Sequence, residues 1–171
     1  MNFIMNYLIT GSSGVGKTTL LKDLAELLGD RAGGFLTIEV RDGGIRVGFD
    51  IHSFDGHSGV LARAGLQSRY HVGRYGVDID SFERIAIPAL KPISNKILII
   101  DEIGKMELHS DRFRDALLFA LDSECIVFAA IMQSKHPFAD SIKSRSDSKI
   151  FELTRANRDT LLERLHELCI E

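Results

Sequence analysis

Apolar residues along the chain fall into short continuous runs and into stretches with helical spacing. The run at 4–10 predicts a buried strand, and the leucines from Leu20 to Leu28 recur at helical spacing, which predicts a helix that Gly29 ends. By the same criteria, further strands are predicted at 97–100, 125–131 and 149–153, and further helices at 113–121, 137–143 and 161–168. Strands that alternate with helices predict an α/β fold with a mostly parallel central sheet flanked by helices.

A period of two replaces the helical period after the first predicted helix. Apolar and polar residues alternate over 36–41 and again over 45–51, on either side of an Asp-Gly-Gly turn at 42–44. This pattern predicts a β-hairpin with one apolar face that can lie on the core. The opposite face carries Thr37, Glu39, Arg41, Arg46 and Asp50.

Polar segments complete the organisation of the chain. Residues 53–78 are rich in Gly, His, Ser and Arg and are predicted to be mostly loop. Asp80, with Glu83 three positions later, resembles a capping box that opens a helix, which Pro88 kinks or ends. The most polar stretch, 141–149, is predicted to be a mobile loop rather than a linker, so 1–171 is expected to be a single domain.

The segment 11–18, GSSGVGKT, fits the phosphate-loop pattern GxxxxGK[ST] at every position. Glycines let successive backbone N–H groups point at an anion, and the helix that follows adds its positive N-terminal end. In this pattern Lys17 reaches the β- and γ-phosphates, and the Thr18 hydroxyl ligates Mg²⁺. The expected nucleotide contacts in the loop are Gly11, Ser12, Ser13, Gly14, Val15, Gly16, Lys17, Thr18 and Thr19.

A pair of acids, Asp101 and Glu102, follows the apolar run at 97–100. Behind a phosphate loop this pair is a Walker B candidate, in which Asp101 holds Mg²⁺, usually through water, and Glu102 polarises the water that attacks the γ-phosphate. With Gly104 the acids also fit DxxG, a nucleotide-contact motif of switch GTPases, but the chain has no NKxD or TKxD. A guanine-selective switch is therefore disfavoured, and ATP, GTP, CTP and UTP are all expected substrates.

Phosphoryl transfer usually needs a further positive group at the γ-phosphate. The candidates are Arg46, Arg69, Arg74 and Lys105. Arg74 is preferred because the glycines at 73 and 76 suggest a close approach of the backbone to a ligand. Lys17, Glu102 and Arg74 are therefore the expected catalytic residues.

Composition restricts the class of protein further. The chain has 171 residues, of which 44% are hydrophobic and 26% charged, as in ordinary globular proteins. Its net charge of −3 argues against nucleic-acid binding through bulk charge, although a local patch stays open. The two cysteines suggest no disulfide framework, and no apolar run is long enough to cross a membrane, so we expect a cytoplasmic protein. We also expect a monomer whose ligand is a small-molecule nucleotide.

Four longer motifs together resemble a known family. They are TGSSGVGKTT at 10–19, GFLTIEVRDGGIRVGFDI at 34–51, GRYGVDIDSFE at 73–83 and DEIGKMEL at 101–108. The set is similar to the THEP-type nucleoside-triphosphatases, the family that includes the cancer-related nucleoside-triphosphatase. The segments 136–145 and 153–159 extend the resemblance over nearly the whole chain.

The resemblance implies a RecA-like P-loop fold with an additional strand and a catalytic glutamate. It implies Mg²⁺-dependent hydrolysis of nucleoside triphosphates to diphosphates and phosphate, with broad base tolerance. It also implies phosphate binding by 11–19, metal binding by Thr18 and indirectly by Asp101, and catalysis by Lys17 and Glu102. The chain departs from the family at Ser12 and Ser13, where other members often have proline or another small residue, but the backbone rather than the side chain faces phosphate there.

Two alternatives to hydrolysis stay open. A nucleotide or nucleoside kinase would share the loop, hold its acceptor near 53–80 and use 141–149 as a lid, although Arg145 is the one arginine in that segment and an adenylate-kinase lid carries several. A nucleotide-dependent switch acting on a partner would show a large structural change between the triphosphate and diphosphate states, with turnover too slow to matter.

Overall fold

A nine-stranded sheet runs through the residues that the computed structural model describes, 4–170. The strands are β1 (Asn6–Thr10), β2 (Ala32–Asp42), β3 (Ile45–Ser53), β4 (Ser58–Ala64), β5 (His71–Val72), β6 (Tyr75–Val77), β7 (Ile97–Ile103), β8 (Val127–Ile131) and β9 (Ser148–Glu152). The helices are α1 (Lys17–Leu28), α2 (Ile79–Ala89), α3 (Asp111–Leu121), α4 (Pro137–Lys143) and α5 (Arg158–Glu167). Short 3-10 turns lie at Gly29–Arg31 and Glu107–His109.

The sheet has a parallel half and an antiparallel half. The strand order is β5-β6-β4-β3-β2-β7-β8-β1-β9, in which the five strands from β2 to β9 pair in parallel and those from β2 to β5 pair antiparallel. The predicted α/β class and the hairpin of β2 and β3 are therefore confirmed, but the sheet is mixed rather than mostly parallel. Strands joined by short turns can pair only antiparallel, so each short connection after β2 extends that half.

The prediction of a loop over 53–78 is wrong, because this segment contains β4, β5 and β6. Its glycines look like loop residues in the sequence, yet two of them lie in strands where other parts of the chain pass close by. A Cβ added to Gly59 would lie 2.6 Å from Ser81 Oγ, and one added to Gly76 would lie 2.1 Å from the carbonyl oxygen of Leu66. Glycine in a strand commonly marks such a close approach.

Helices cover both faces of the parallel half. On one face, apolar residues of α1 and α5 pack against β1, β7 and β8. On the other face, Phe35 of β2, Phe82 of α2 and Phe113 of α3 meet edge to face, with ring centroids 5.1–6.1 Å apart. Burial on both sides explains why the parallel strands have continuous apolar runs instead of alternation.

Two local predictions are corrected by side-chain contacts. The residue that caps α2 is Asp78, whose carboxylate accepts a 2.9 Å hydrogen bond from Ser81 N, so the helix begins before Asp80. The stretch 141–149 is not a free loop, because α4 runs to Lys143 and β9 begins at Ser148. Between them, Arg145 binds Asp122 and Asp147 at 2.6 and 2.7 Å.

Candidate active site

The phosphate loop connects the end of β1 to the start of α1 at the carboxyl edge of the parallel strands. Gly14 and Gly16 have φ angles of 76° and 107°, which L side chains rarely adopt. Gly16 is also the N-cap of α1, and its carbonyl accepts a 2.9 Å hydrogen bond from Leu20 N. The glycines therefore allow the chain to turn from strand to helix with the N-terminal N–H groups of α1 left for an anion.

Lys17 curls back over the loop. Its Nζ donates to the carbonyl oxygens of Gly11 and Ser12 at 2.8 and 3.3 Å. These bonds hold the ammonium group above the glycine turn, at the position where it can exchange a carbonyl for a phosphate oxygen.

Asp101 lies near the end of β7 and is buried, with 2% of its surface exposed. Thr37, on the neighbouring strand β2, donates to Asp101 Oδ2 from both its backbone N and its hydroxyl, each at 3.4 Å. Burial raises the pKa of Asp101 to about 6, against the opposing effect of hydrogen bonding from the hydroxyl of Thr18. The carboxylate and the Thr18 hydroxyl are therefore neighbours, although they come from different elements.

Two glutamates lie beside Asp101. Burial raises the pKa of Glu102, and the nearby charge of Lys17 opposes that rise. Burial also raises the pKa of Glu107 well above its usual value, and the charge of Glu102 adds to the effect. Both carboxylates approach Gly104 closely: an ideal Cβ on that glycine would lie 2.6 Å from Glu102 Oε1 and 3.0 Å from Glu107 Oε2.

These groups open onto one cavity of about 820 Å³. Its lining comes mainly from the phosphate loop, from the acids of β7 and the turn that follows them, and from β2, β3 and β4. The charged and hydroxyl side chains in its lining are Ser13, Lys17, Thr18, Thr19, Thr37, Glu39, Arg46, Asp101, Glu102, Lys105, Glu107 and Ser134. A site that combines an anion cradle, a lysine and clustered carboxylates is suited to a phosphorylated ligand and a hard metal ion.

Comparison with known proteins agrees with this geometry. The family model described as NTPase matches residues 6–166. The chain belongs to this NTPase family. It is 48% identical to the nucleoside-triphosphatase THEP1 of Thermotoga sp. strain RQ2 over 163 residues, which cover 94% of this chain and 93% of the relative. It is 40% identical to the human cancer-related nucleoside-triphosphatase over 172 residues, which cover 90% of each.

A solved member of the family has the same fold. The crystal structure of THEP1 from Aquifex aeolicus superposes with a TM-score of 0.90 at 40% identity and covers 98% of this chain and 100% of that one. The family resemblance and the α/β P-loop fold that it implies are thus confirmed. No helix within residues 4–170 is long and apolar enough to cross a membrane.

Most of the residues predicted from the NTPase motifs come together in the structure. The cavity is lined by Gly11, Ser13, Gly14, Gly16, Lys17, Thr18, Thr19, Asp101 and Glu102. Ser12 and Val15 instead line a second cavity of about 380 Å³, which shares Ser13, Gly14 and Gln133 with the first. Gly104 lies beneath the two glutamates rather than in the lining.

The candidate cations separate into two pairs. Arg46 and Lys105 line the cavity, whereas Arg69 and Arg74 are not part of its described lining. Arg74 lies over the ring of Tyr75, with its guanidinium carbon 5.2 Å from the ring centroid, and donates to the backbone oxygen of Arg46. The structure thus brings Arg46, not the preferred Arg74, to the ligand side.

Sequence reasoning missed two residues of the site. Thr37 was assigned only to the polar face of the hairpin, and Glu107 was given no role within DEIGKMEL. Their connection to Asp101 and Glu102 runs through the β2–β7 pairing and the turn after β7. The one signal in the sequence was their presence inside two of the family motifs.

Proposed function

We infer that this chain hydrolyses nucleoside triphosphates to diphosphates and phosphate with the help of Mg²⁺. The observation that carries this proposal is that one cavity joins the phosphate loop, the Thr18–Asp101 pair and Glu102. The relatives are named nucleoside-triphosphatases, which supports the same reaction.

The loop and α1 supply the phosphate-binding half of the site. Backbone N–H groups of the glycine turn and the N-terminal end of α1 attract the β- and γ-phosphates. Lys17, held over the loop by Gly11 and Ser12, adds one full positive charge at the same place. Charge-assisted hydrogen bonds of this kind are about twice as strong as neutral ones.

The oxygen groups beside the loop fit Mg²⁺. This ion prefers one or two carboxylates together with substrate phosphates and water, instead of an all-protein cage. Thr18 and Asp101 offer that limited set, and among residues 4–170 no group of three or more His, Cys, Asp or Glu side chains is arranged to hold a metal. Bound there, the ion would neutralise charge on the β- and γ-phosphates.

Glu102 would activate the attacking water. Its carboxylate lies in the cavity beside Asp101 and near Lys17. Partial burial raises its pKa, and a raised pKa makes a carboxylate a better proton acceptor near neutral pH. Glu102 would orient the attacking water and take its proton as the bond from the γ-phosphorus to the β–γ bridging oxygen breaks.

We also propose broad base tolerance, which the lining of the second cavity supports. Four residues of the phosphate loop, 12–15, are in its lining, so we propose that the base occupies this cavity once the phosphates are bound to the loop. Besides the loop, its lining consists of the buried Leu153 and the exposed residues Gln133, Glu152, Thr154 and Arg155. Discrimination between bases needs buried groups that the wrong base leaves unpaired, and this cavity offers none in its described lining.

The setting proposed for this enzyme is a cytoplasmic monomer that acts on free nucleotides. Both cysteines are free and buried, which suits a reducing compartment. The net charge of −3 gives no general attraction to nucleic acid. Light scattering coupled to size-exclusion chromatography tests the monomer.

The decisive experiment is phosphate release from ATP, GTP, CTP and UTP by the wild type and two variants. Glu102→Gln should bind Mg·NTP normally while turnover falls about 10²–10⁴-fold, the usual range for general acid–base catalysis. Asp101→Asn should weaken Mg²⁺-dependent binding as well. Glu163→Gln, an exposed carboxyl change on α5, is the matched control.

Three results would contradict the proposal. Near-native hydrolysis by Glu102→Gln would show that Glu102 does not activate the attacking water. A preference for one base above about 100-fold, near 2.7 kcal/mol, would reveal a base-reading pocket. Diphosphate formation that depends on an added acceptor and releases no phosphate would show a kinase instead.

A further inference from the structure

The antiparallel half of the sheet brings one arginine to the cavity. Arg46 lies near the start of β3, next to the hairpin turn, and is the one arginine in the cavity's described lining. It reaches the cavity from the hairpin side, whereas Lys17 reaches it from the phosphate loop. These two cations of the lining therefore come from different elements of the fold, β3 and the phosphate loop.

The guanidinium group of Arg46 is held in a defined orientation. Its Nε donates to the hydroxyl of Tyr75 at 3.0 Å, and its Nη1 lies 3.5 Å from Glu39 Oε1. Its central carbon lies 5.3 Å from the ring centroid of Phe49 and 5.7 Å from that of Tyr75. Within residues 4–170 its Nη2 donates to no protein acceptor, and 47% of the side chain is exposed.

The negative charges around the cavity favour a second cation beside Lys17. Asp101, Glu102 and Glu107 cluster on the side of β7, and a triphosphate adds further negative charge beside them. Lys17 is the one cation of the phosphate loop. In phosphoryl transfer, a positive group beyond the loop lysine commonly stabilises the equatorial oxygens of the transferred group.

We propose that Arg46 is a catalytic residue that contacts the γ-phosphoryl group and stabilises the charge on it during hydrolysis. This rests on the proposed function. Water oxygen bonds to the γ-phosphorus, the bond to the bridging oxygen breaks, and its electron pair remains on the diphosphate. Glu102 takes the water proton, and Arg46 exchanges no proton but donates hydrogen bonds to γ-phosphoryl oxygens. Tyr75 acts through Arg46 as a positioning residue.

Lys105 and Arg74 are less well positioned to contact the γ-phosphoryl group. Lys105 lines the cavity but is exposed, and it has no hydrogen bond or ion pair with any described residue. Arg74 packs on Tyr75 and binds the backbone of Arg46, so it supports the strand that carries Arg46. Preorganised groups stabilise a transition state more than groups that must first be ordered.

Single-turnover hydrolysis and nucleotide affinity, measured on the same variants, test the proposal. Arg46→Ala should lower the hydrolysis rate by at least about 10²-fold, given the 10³–10⁵ that such arginines contribute, while the Kd for Mg·ATP changes by less than about 5-fold. Arg46→Lys should keep part of the rate because it keeps the charge but not the planar fork. Tyr75→Phe should lower kcat with little change in KM, because it removes the hydroxyl that orients Arg46.

Arg41→Ala is the matched control. Arg41 lies on the same hairpin and binds the same Glu39 oxygen at 3.0 Å, but it is outside the cavity lining. Its loss should leave the rate within about 2-fold, as expected for an exposed ion pair. Trapping of Mg·ADP with aluminium fluoride, which mimics the planar γ-phosphoryl group, should fail in Arg46→Ala although ADP alone still binds.

The outcomes distinguish this proposal from the function on which it rests. If the wild type releases phosphate and Arg46→Ala matches it, or if Lys105→Ala or Arg74→Ala has the larger effect, Arg46 does not have this role. If the wild type releases no phosphate from any nucleotide, hydrolysis itself is refuted. Thermal melts check folding, and if Arg46→Ala unfolds, Arg46→Lys carries the test with an expected loss of about 10-fold.

Discussion

Gly104→Ala tests whether the position of Glu102 controls turnover. The added Cβ would lie 2.6 Å from Glu102 Oε1, whereas ordinary contacts of a Cβ begin at 3.4 Å. The carboxylate must therefore retreat by roughly 1 Å, and misplacement of a catalytic group by that distance can cost about 10²-fold in rate. The φ of Gly104 is not in the left-handed region, so the substitution strains the side chain above it and not the backbone.

Turnover and nucleotide affinity should respond differently to Gly104→Ala. Phosphate release should give a kcat about 10²-fold lower, and a fluorescent-nucleotide titration should give a Kd within about 3-fold, because the phosphate loop is not touched. In a Glu102→Gln background, the same substitution should cause a further loss of rate of less than about 2-fold, because both changes act on one group. The reasoning would be refuted if Gly104→Ala kept full turnover. It would also be refuted if the rate loss of the double variant equalled the product of the losses of Gly104→Ala and Glu102→Gln.

The remaining predictions concern the phosphate loop and the fold. Lys17→Ala should weaken Mg·NTP binding by about 1.5–3 kcal/mol, roughly 10–150-fold by isothermal titration, and should abolish most turnover with the melting temperature unchanged. Asp78→Ala should cost about 1 kcal/mol of unfolding free energy in urea, as the loss of a helix cap does, whereas Asp80→Ala should cost less than about 0.5 kcal/mol. Equal losses at the two positions would contradict the assignment of Asp78 as the cap.

The phosphate-binding half of the site could be predicted because the residues that bind phosphate are consecutive in the sequence. Residues 11–18 have to be a glycine turn followed by a helix, and the apolar run before Asp101 has to be a buried strand. In a parallel sheet both end at the same edge, so their proximity follows from the fold class. Contacts between Thr37 and Asp101, or between Glu107 and Glu102, depend on pairing and turn geometry that no local pattern encodes.

The difference between Arg74, preferred from the sequence, and Arg46, which lines the cavity, shows the limit of local sequence patterns. In the sequence, the glycines at 73 and 76 indicate a close approach of the backbone to a ligand. In the structure, Gly73 has a φ of 57°, and Gly76 lies against the carbonyl of Leu66, so the chain's own backbone accounts for both. No such signal surrounds Arg46 in the sequence. Its orientation depends on Tyr75, which lies 29 residues later in the chain, on β6, and β4 lies between β6 and the strand that carries Arg46. A residue placed by non-local strand pairing can be recognised only once the strands are assembled, and the antiparallel half of this sheet is the part that places it.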